Sequence, residues 1–153
     1  PANIARPEQA RGVEPPPPEQ ALRRLVEFTW KYYLDNPEFI TLVNSENLHQ
    51  ARHIEGDGEL QDRQKAYVQT VAAILDRGAR AGVFRQGIDP VQLCITIPAI
   101  AFYYLNNRHT GRVLFGFDFM GGDALAARVQ FNVDTILRLV LLAPAANEGG
   151  TKP

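Results

Sequence analysis

Residues 91–107, VQLCITIPAIAFYYLNN, pass without one charged side chain in a protein where charged residues make up 22% of the total. Such a segment has no side to show to water, so it must be covered all round. A membrane-spanning helix needs about 20 mostly apolar residues, whereas this run is shorter and carries Gln92, Thr96, Pro98, Asn106 and Asn107. A helix packed between protein neighbours fits better. The last apolar segment, 123–142, poses the same problem. Leu125, Ala126, Val129, Val133, Ile136 and Val140 form one stripe at helical spacing, and Phe131, Leu139 and Leu142 form a second. A small helical domain has one interior, so a helix with two apolar sides is expected to give one of them to a second copy. The first stripe is the expected dimer interface, with Ala126 permitting close approach. Closure within one chain is the alternative. Pairing the last two long helices with their symmetry mates would make a four-helix interface that covers both segments.

The chain's 153 residues suffice for one domain with one core. Helical periodicity is expected over 19–35, 37–54, 59–81, 90–110 and 123–142, with no convincing sheet. The fold class is therefore all-α, a five-helix orthogonal or antiparallel bundle. Asn36-Pro37 and Asp89-Pro90 each combine a capping side chain with a proline suited to a first helical turn. Gly82 is a natural stop. Pro98, inside the fourth helix, removes one backbone bond and is expected to kink it. Residues 1–18 hold six of the eleven prolines and read as an extended linker. The helical domain is expected over 19–143 and a frayed tail over 144–153.

Sixteen basic against seventeen acidic residues leave a net charge of −1, which gives no basic footprint for a phosphate backbone. Cys94 is the single cysteine, so a disulfide framework or zinc knuckle is excluded and a reducing, cytoplasmic setting is expected. The N-terminal stretch lacks an apolar signal core, and no membrane partner is expected. The chain does not begin with Met, which leaves both a complete chain and a piece of a longer one open. A G-x-S-x-G elbow, a phosphate-binding loop and a dinucleotide fingerprint are all missing, so an enzyme is not expected and no cofactor is implied.

On the second helix, Asn47 stands in a stripe of Ile40, Val43, Ala51 and Ile54, with Asn44 beside it. Near Trp30, Tyr33, Tyr67 and Val71 of neighbouring helices, that polar break matches a mostly apolar ligand pocket with a few orienting groups. An Asn bonded to backbone or water inside an aromatic core reads equally well. Thr96, Tyr103 and Asn107 align along the fourth helix and would need partners if buried. Phe115, Phe117 and Phe119 alternate in a segment that reads as an apolar lid. Glu46, His49 and His53 fall on one side of the second helix at i, i+3 and i+7, a spacing open to a metal-binding helical enzyme. Gln50 stands where a zincin needs its Glu, and a solvated polar face is the competing account.

The run Asn36-Pro37-Glu38-Phe39 to Glu46-Asn47-Leu48, the turn Gly82-Val83-Phe84-Arg85 with Ile88-Asp89-Pro90 opening a long uncharged helix, and the terminal amphipathic helix resemble the C-terminal domain of tetracycline-repressor (TetR) family transcriptional regulators. The likeness runs from about residue 19 to 142. It implies an effector-binding, homodimerising domain whose last two long helices pair, with a small-molecule effector held among the first four helices. It also implies operator DNA as a partner through an N-terminal helix-turn-helix domain that is not among these residues.

Overall fold

A computed structural model describes residues 14–142. Six helices form among them: α1 (Pro18–Asp35), α2 (Pro37–Leu48), α3 (Gly58–Arg80), α4 (Pro90–Asn106), α5 (Arg108–Phe115) and α6 (Gly122–Val140). The described residues are all-helical apart from an isolated antiparallel bridge between Phe84 and Leu141. The expected count of five helices is corrected. The fourth ends at Asn106, where the Asn107 side chain donates to the Tyr103 carbonyl at 2.8 Å and closes the last turn. A separate short helix, α5, then starts. The second helix stops at Leu48 rather than 54, because Gln50 and Ala51 adopt left-handed backbone at φ 60° and 59°.

Local chemistry explains most boundaries. Asp89 accepts from the Val91 N–H at 2.8 Å and Asp57 from Leu60 at 3.0 Å, caps worth about 1 kcal/mol each. Asn36 departs from expectation. Its amide turns backwards and donates to the Tyr32 carbonyl at 2.8 Å, closing α1, while Pro37 alone sets the first turn of α2. Pro18 belongs to α1 rather than to the linker, and the Arg77 guanidinium donates to the Pro16 carbonyl at 2.8 Å, fastening the end of the proline run to α3. The rest of the expected linker and the expected tail lie outside the described residues.

Leu22, Val26, Trp30 and Tyr33 recur at helical spacing, so α1 buries a single stripe and packs against α3, α4 and α6. The turn after α3 is held by Gly78, whose missing side chain makes room for the Phe84 ring. Arg85 N–H donates to Val140 O at 2.8 Å and Leu142 N–H to Val83 O at 3.0 Å, pinning the end of α6 beside the start of α4. At the other end Arg128 reaches the Ile100 carbonyl, so α6 runs antiparallel to α4.

Candidate functional site

Two clusters of buried side chains share the interior. One is dominated by aliphatic groups and gathers Leu22, Val71, Leu75, Phe84, Leu93, Ile97, Val133, Ile136 and Val140 with their neighbours. The other is mostly aromatic: Trp30, Tyr33, Tyr104 and Phe119 with Ile40, Ala101 and Leu105. Along α1 the division falls between Val26 and Trp30. Burial, then the nearby Cys94 and Tyr33, push the Tyr67 hydroxyl up to about 12, against a smaller opposing pull from Thr29. The Cys94 thiol is pushed up to about 11 by burial and then by Asp89. Burial, then Tyr32, raises Tyr33 as well. All three groups are neutral at physiological pH, so this seam between α1, α3 and α4 is uncharged and hydrogen-bonding.

The aromatic cluster is built around Tyr104. Phe119 stacks on it with ring centroids 4.3 Å apart and planes inclined by 16°, and Phe117 stacks on Phe119 at 4.8 Å. The Tyr104 hydroxyl donates to the Phe119 carbonyl at 3.1 Å. Trp30 leans against Tyr104 at 5.8 Å, and the Arg128 guanidinium sits 5.1 Å from the Tyr104 ring centre, a cation–π distance. Arg128 is half-buried and its charge is disfavoured by burial, with Tyr104 partly opposing. Among the described residues no carboxylate pairs with it. Its Nε finds no hydrogen-bond partner, and neither do Oδ1 and Nδ2 of Asn132, one turn further along α6 and 1% exposed. Unsatisfied buried polar atoms are uncommon and cost about 1–3 kcal/mol each.

The expected ligand residues divide. Trp30 and Tyr33 lie in the aromatic cluster, whereas Val71, with Tyr67 packed on it, lies in the aliphatic one. Asn47 does not join them: it lies on the exposed side of α2 and donates to its own Val43 carbonyl at 2.8 Å, because only Ile40 of that helix is buried. Asn44 is also exposed and bonds Asn106 at 2.6 Å, tying α2 to the end of α4. Thr96 is satisfied by the Gln92 carbonyl at 2.8 Å, while Tyr103 and Phe115 face outward, each 63% exposed. Arg128 and Asn132 were missed, and of the expected lid residues Phe115, Phe117 and Phe119 only Phe119 is buried. Asn132 was findable, since it interrupts an apolar stripe between Val129 and Val133. Open grooves lie elsewhere, at the entry of α1, where one of about 450 Å³ is lined by Pro17, Gln20, Val83 and Leu137.

The proposed metal ligands do not converge. His53 Nδ1 pairs with Glu46 Oε1 at 2.9 Å, but His49 Nδ1 is directed to the Ser45 carbonyl at 2.8 Å. Among the described residues no group of three such side chains could hold a metal, so the metal-enzyme alternative loses its site. The expected dimer stripe is corrected too. Val133, Ile136 and Val140 are sealed in the chain's own aliphatic core, Leu125 and Val129 pack on the aromatic cluster, and only Ala126 is exposed. The other strip of α6 is the one left open, with Phe131 61% exposed beside Leu139 and Leu142. On α4, Val91, Ile95 and Tyr103 are likewise exposed. Among the described residues no helix is long and apolar enough to cross a membrane.

Residues 18–136 match the family described as tetracyclin repressor-like, C-terminal domain. Over 121 residues the chain is 36% identical to the HTH-type transcriptional repressor NicS of Pseudomonas putida, an alignment that takes in 79% of this chain and 57% of that protein. The chain thus spans little more than half the length of this relative. With the all-helical order of elements already in place, the match over most of its length assigns the chain to the tetracycline-repressor family, as a C-terminal domain of that family.

Proposed function

We propose that this chain is the effector-sensing and homodimerising part of a cytoplasmic transcriptional repressor, with operator DNA gripped by an N-terminal helix-turn-helix domain outside these residues. The observation that carries the reading is the uncovered apolar face shared by α4 and α6, where Ile95, Tyr103 and Phe131 are each more than half exposed. Exposed apolar patches on this scale mark interaction surfaces. Two antiparallel helices that each leave apolar side chains uncovered suit an isologous four-helix contact with a second copy. Family membership and the relative's description as a repressor support the regulatory role.

Sensing would work through α1. Its inner side carries Trp30 and Tyr33, it packs against α3, α4 and α6, and its first residue, Pro18, is the last of the proline run. A small molecule in the seam would shift α1 only to the extent that it binds one arrangement better than the other. Light scattering tests the dimer: the wild-type chain is expected to have twice its formula mass at tens of micromolar, and Phe131→Glu to be monomeric with an unchanged circular dichroism spectrum. A wild-type monomer at that concentration overturns the dimer. Trp30 fluorescence, titrated with small organic compounds, tests sensing, and a flat response to every compound counts against it.

A further inference from the structure

Between Arg112 and Met120 every side chain is exposed except one, the Phe119 ring at 5%. The segment is apolar on its outer side, with Val113, Leu114 and Phe115 largely in water and Phe117 and Met120 partly so. Its attachment to the domain therefore rests on a single inserted ring and the Tyr104–Phe119 hydrogen bond. That ring lies in a slot with defined walls. Tyr104 forms one face at 4.3 Å, Phe117 is stacked at 4.8 Å, and Gly111 closes the edge so tightly that a Cβ there would overlap the Phe119 ring. Over the Tyr104 ring sits the Arg128 guanidinium, whose Nε has no hydrogen-bond partner. The slot is flat and aromatic, while the ring that fills it is carried on weakly held chain.

We propose that the Phe119 slot is a ligand site occupied by the protein's own side chain, and that a planar aromatic molecule with a hydrogen-bond acceptor at its rim takes the place of that ring. The displaced Phe119 carbonyl frees the Tyr104 hydroxyl, which then donates to the rim acceptor. Only the chain at Phe119 moves outward with its ring, while Tyr104, Gly111 and Phe117 stay in place as the walls of the slot. This deepens the sensing reading above and rests on it: Trp30, in contact with Tyr104, links the slot to α1. An apolar side chain competing for its own site lowers apparent affinity in proportion to the fraction of molecules in which the slot is open.

The test uses the whole 153-residue chain and two probes of similar size, flat 2-naphthol and puckered decahydro-2-naphthol, followed by saturation-transfer NMR and Trp30 fluorescence. The wild-type chain is expected to bind 2-naphthol saturably and the puckered probe at least about tenfold more weakly. Phe119→Ala removes the competitor and should tighten 2-naphthol by about tenfold; Phe119→Leu, which keeps apolar volume, serves if the alanine variant does not fold. Gly111→Ala discriminates further. Its methyl group expels Phe119 but also narrows the slot, so 2-naphthol binding should weaken by at least about tenfold rather than tighten. Binding that ignores both positions overturns the slot and leaves sensing intact. Equal binding of the two probes, or none by the Phe119 variants, overturns the slot as well. A Trp30 response to some other compound would then still uphold the sensing reading.

Discussion

Twelve mostly aliphatic side chains close the half of the molecule around Phe84, whereas seven mostly aromatic ones close the half around Tyr104. The first half is stitched at its rim by main-chain bonds from Arg85 to Val140 and Leu142 to Val83, which hold the ends of α3, α4 and α6 together. The second has no such stitch. Its cover is the segment after α5, held by one ring, and beside it sit polar atoms without partners. Close packing of branched side chains gives rigidity because any vacated volume loses its contacts outright. Stacked rings beside orphaned polar groups leave room for rearrangement. Stability is concentrated in the aliphatic half, and the capacity to respond in the aromatic half.

The largest effect should come from Phe84→Ala. The ring is 1% exposed and seated on Gly78, so its loss is expected to lower unfolding free energy by about 3–5 kcal/mol in urea denaturation followed by circular dichroism. Phe119→Ala, equally aromatic and nearly as buried, should cost clearly less, about 2–3 kcal/mol, because the exposed segment above it can settle into the space. Equal losses at the two positions would erase the distinction between the halves.

Much of the aliphatic half was legible in the sequence, and less of the aromatic half. Leu22, Val26, Val71 and Leu75 sit at regular helical spacing, and the cap at Asp89 follows from residue type alone. The position of Phe119 depends on Gly111, eight residues back and across a turn, and no local pattern announces such a contact. Asn47 misled because α2 has too little periodicity to fix which side is inward; the packing of Ile40 decides it. On α6 both apolar strips were legible, but which of them faced inward depended on the line of approach to α4, set by the bonds to Val83 and Arg85. Asn132 shows the same criterion applied to one helix and missed on another.

A smaller effect, of opposite sign, is expected at Asn132. Replacing the amide by leucine removes two unpartnered polar atoms from the interior, and Asn132→Leu should raise stability by about 1 kcal/mol in the same denaturation assay. A loss instead would show that the amide is satisfied in solution, and would move this end of α6 into the rigid half.

The smallest effect is a dependence on alkaline pH. Folding raises the pKa of Cys94 from 9.0 to about 11 and of Tyr67 from 10.0 to about 12. The folded state therefore holds these protons more firmly than the unfolded chain. Their contribution to stability is complete below about pH 9, and is lost progressively as pH rises through the unfolded values towards the folded ones. Denaturation midpoints for the wild type should hold steady from pH 7 to 9 and then fall. Tyr67→Phe has no proton to lose at that position, so its midpoint should fall less steeply above pH 10, and Tyr67→Phe combined with Cys94→Ala less steeply still. Because Tyr67 and Cys94 line the seam where the two halves meet, a parallel fall in all three proteins would mean that ionisation opens the aromatic half first, through Tyr33 or Tyr104. A flattened profile in the variants would instead place the alkaline weak point at the seam itself.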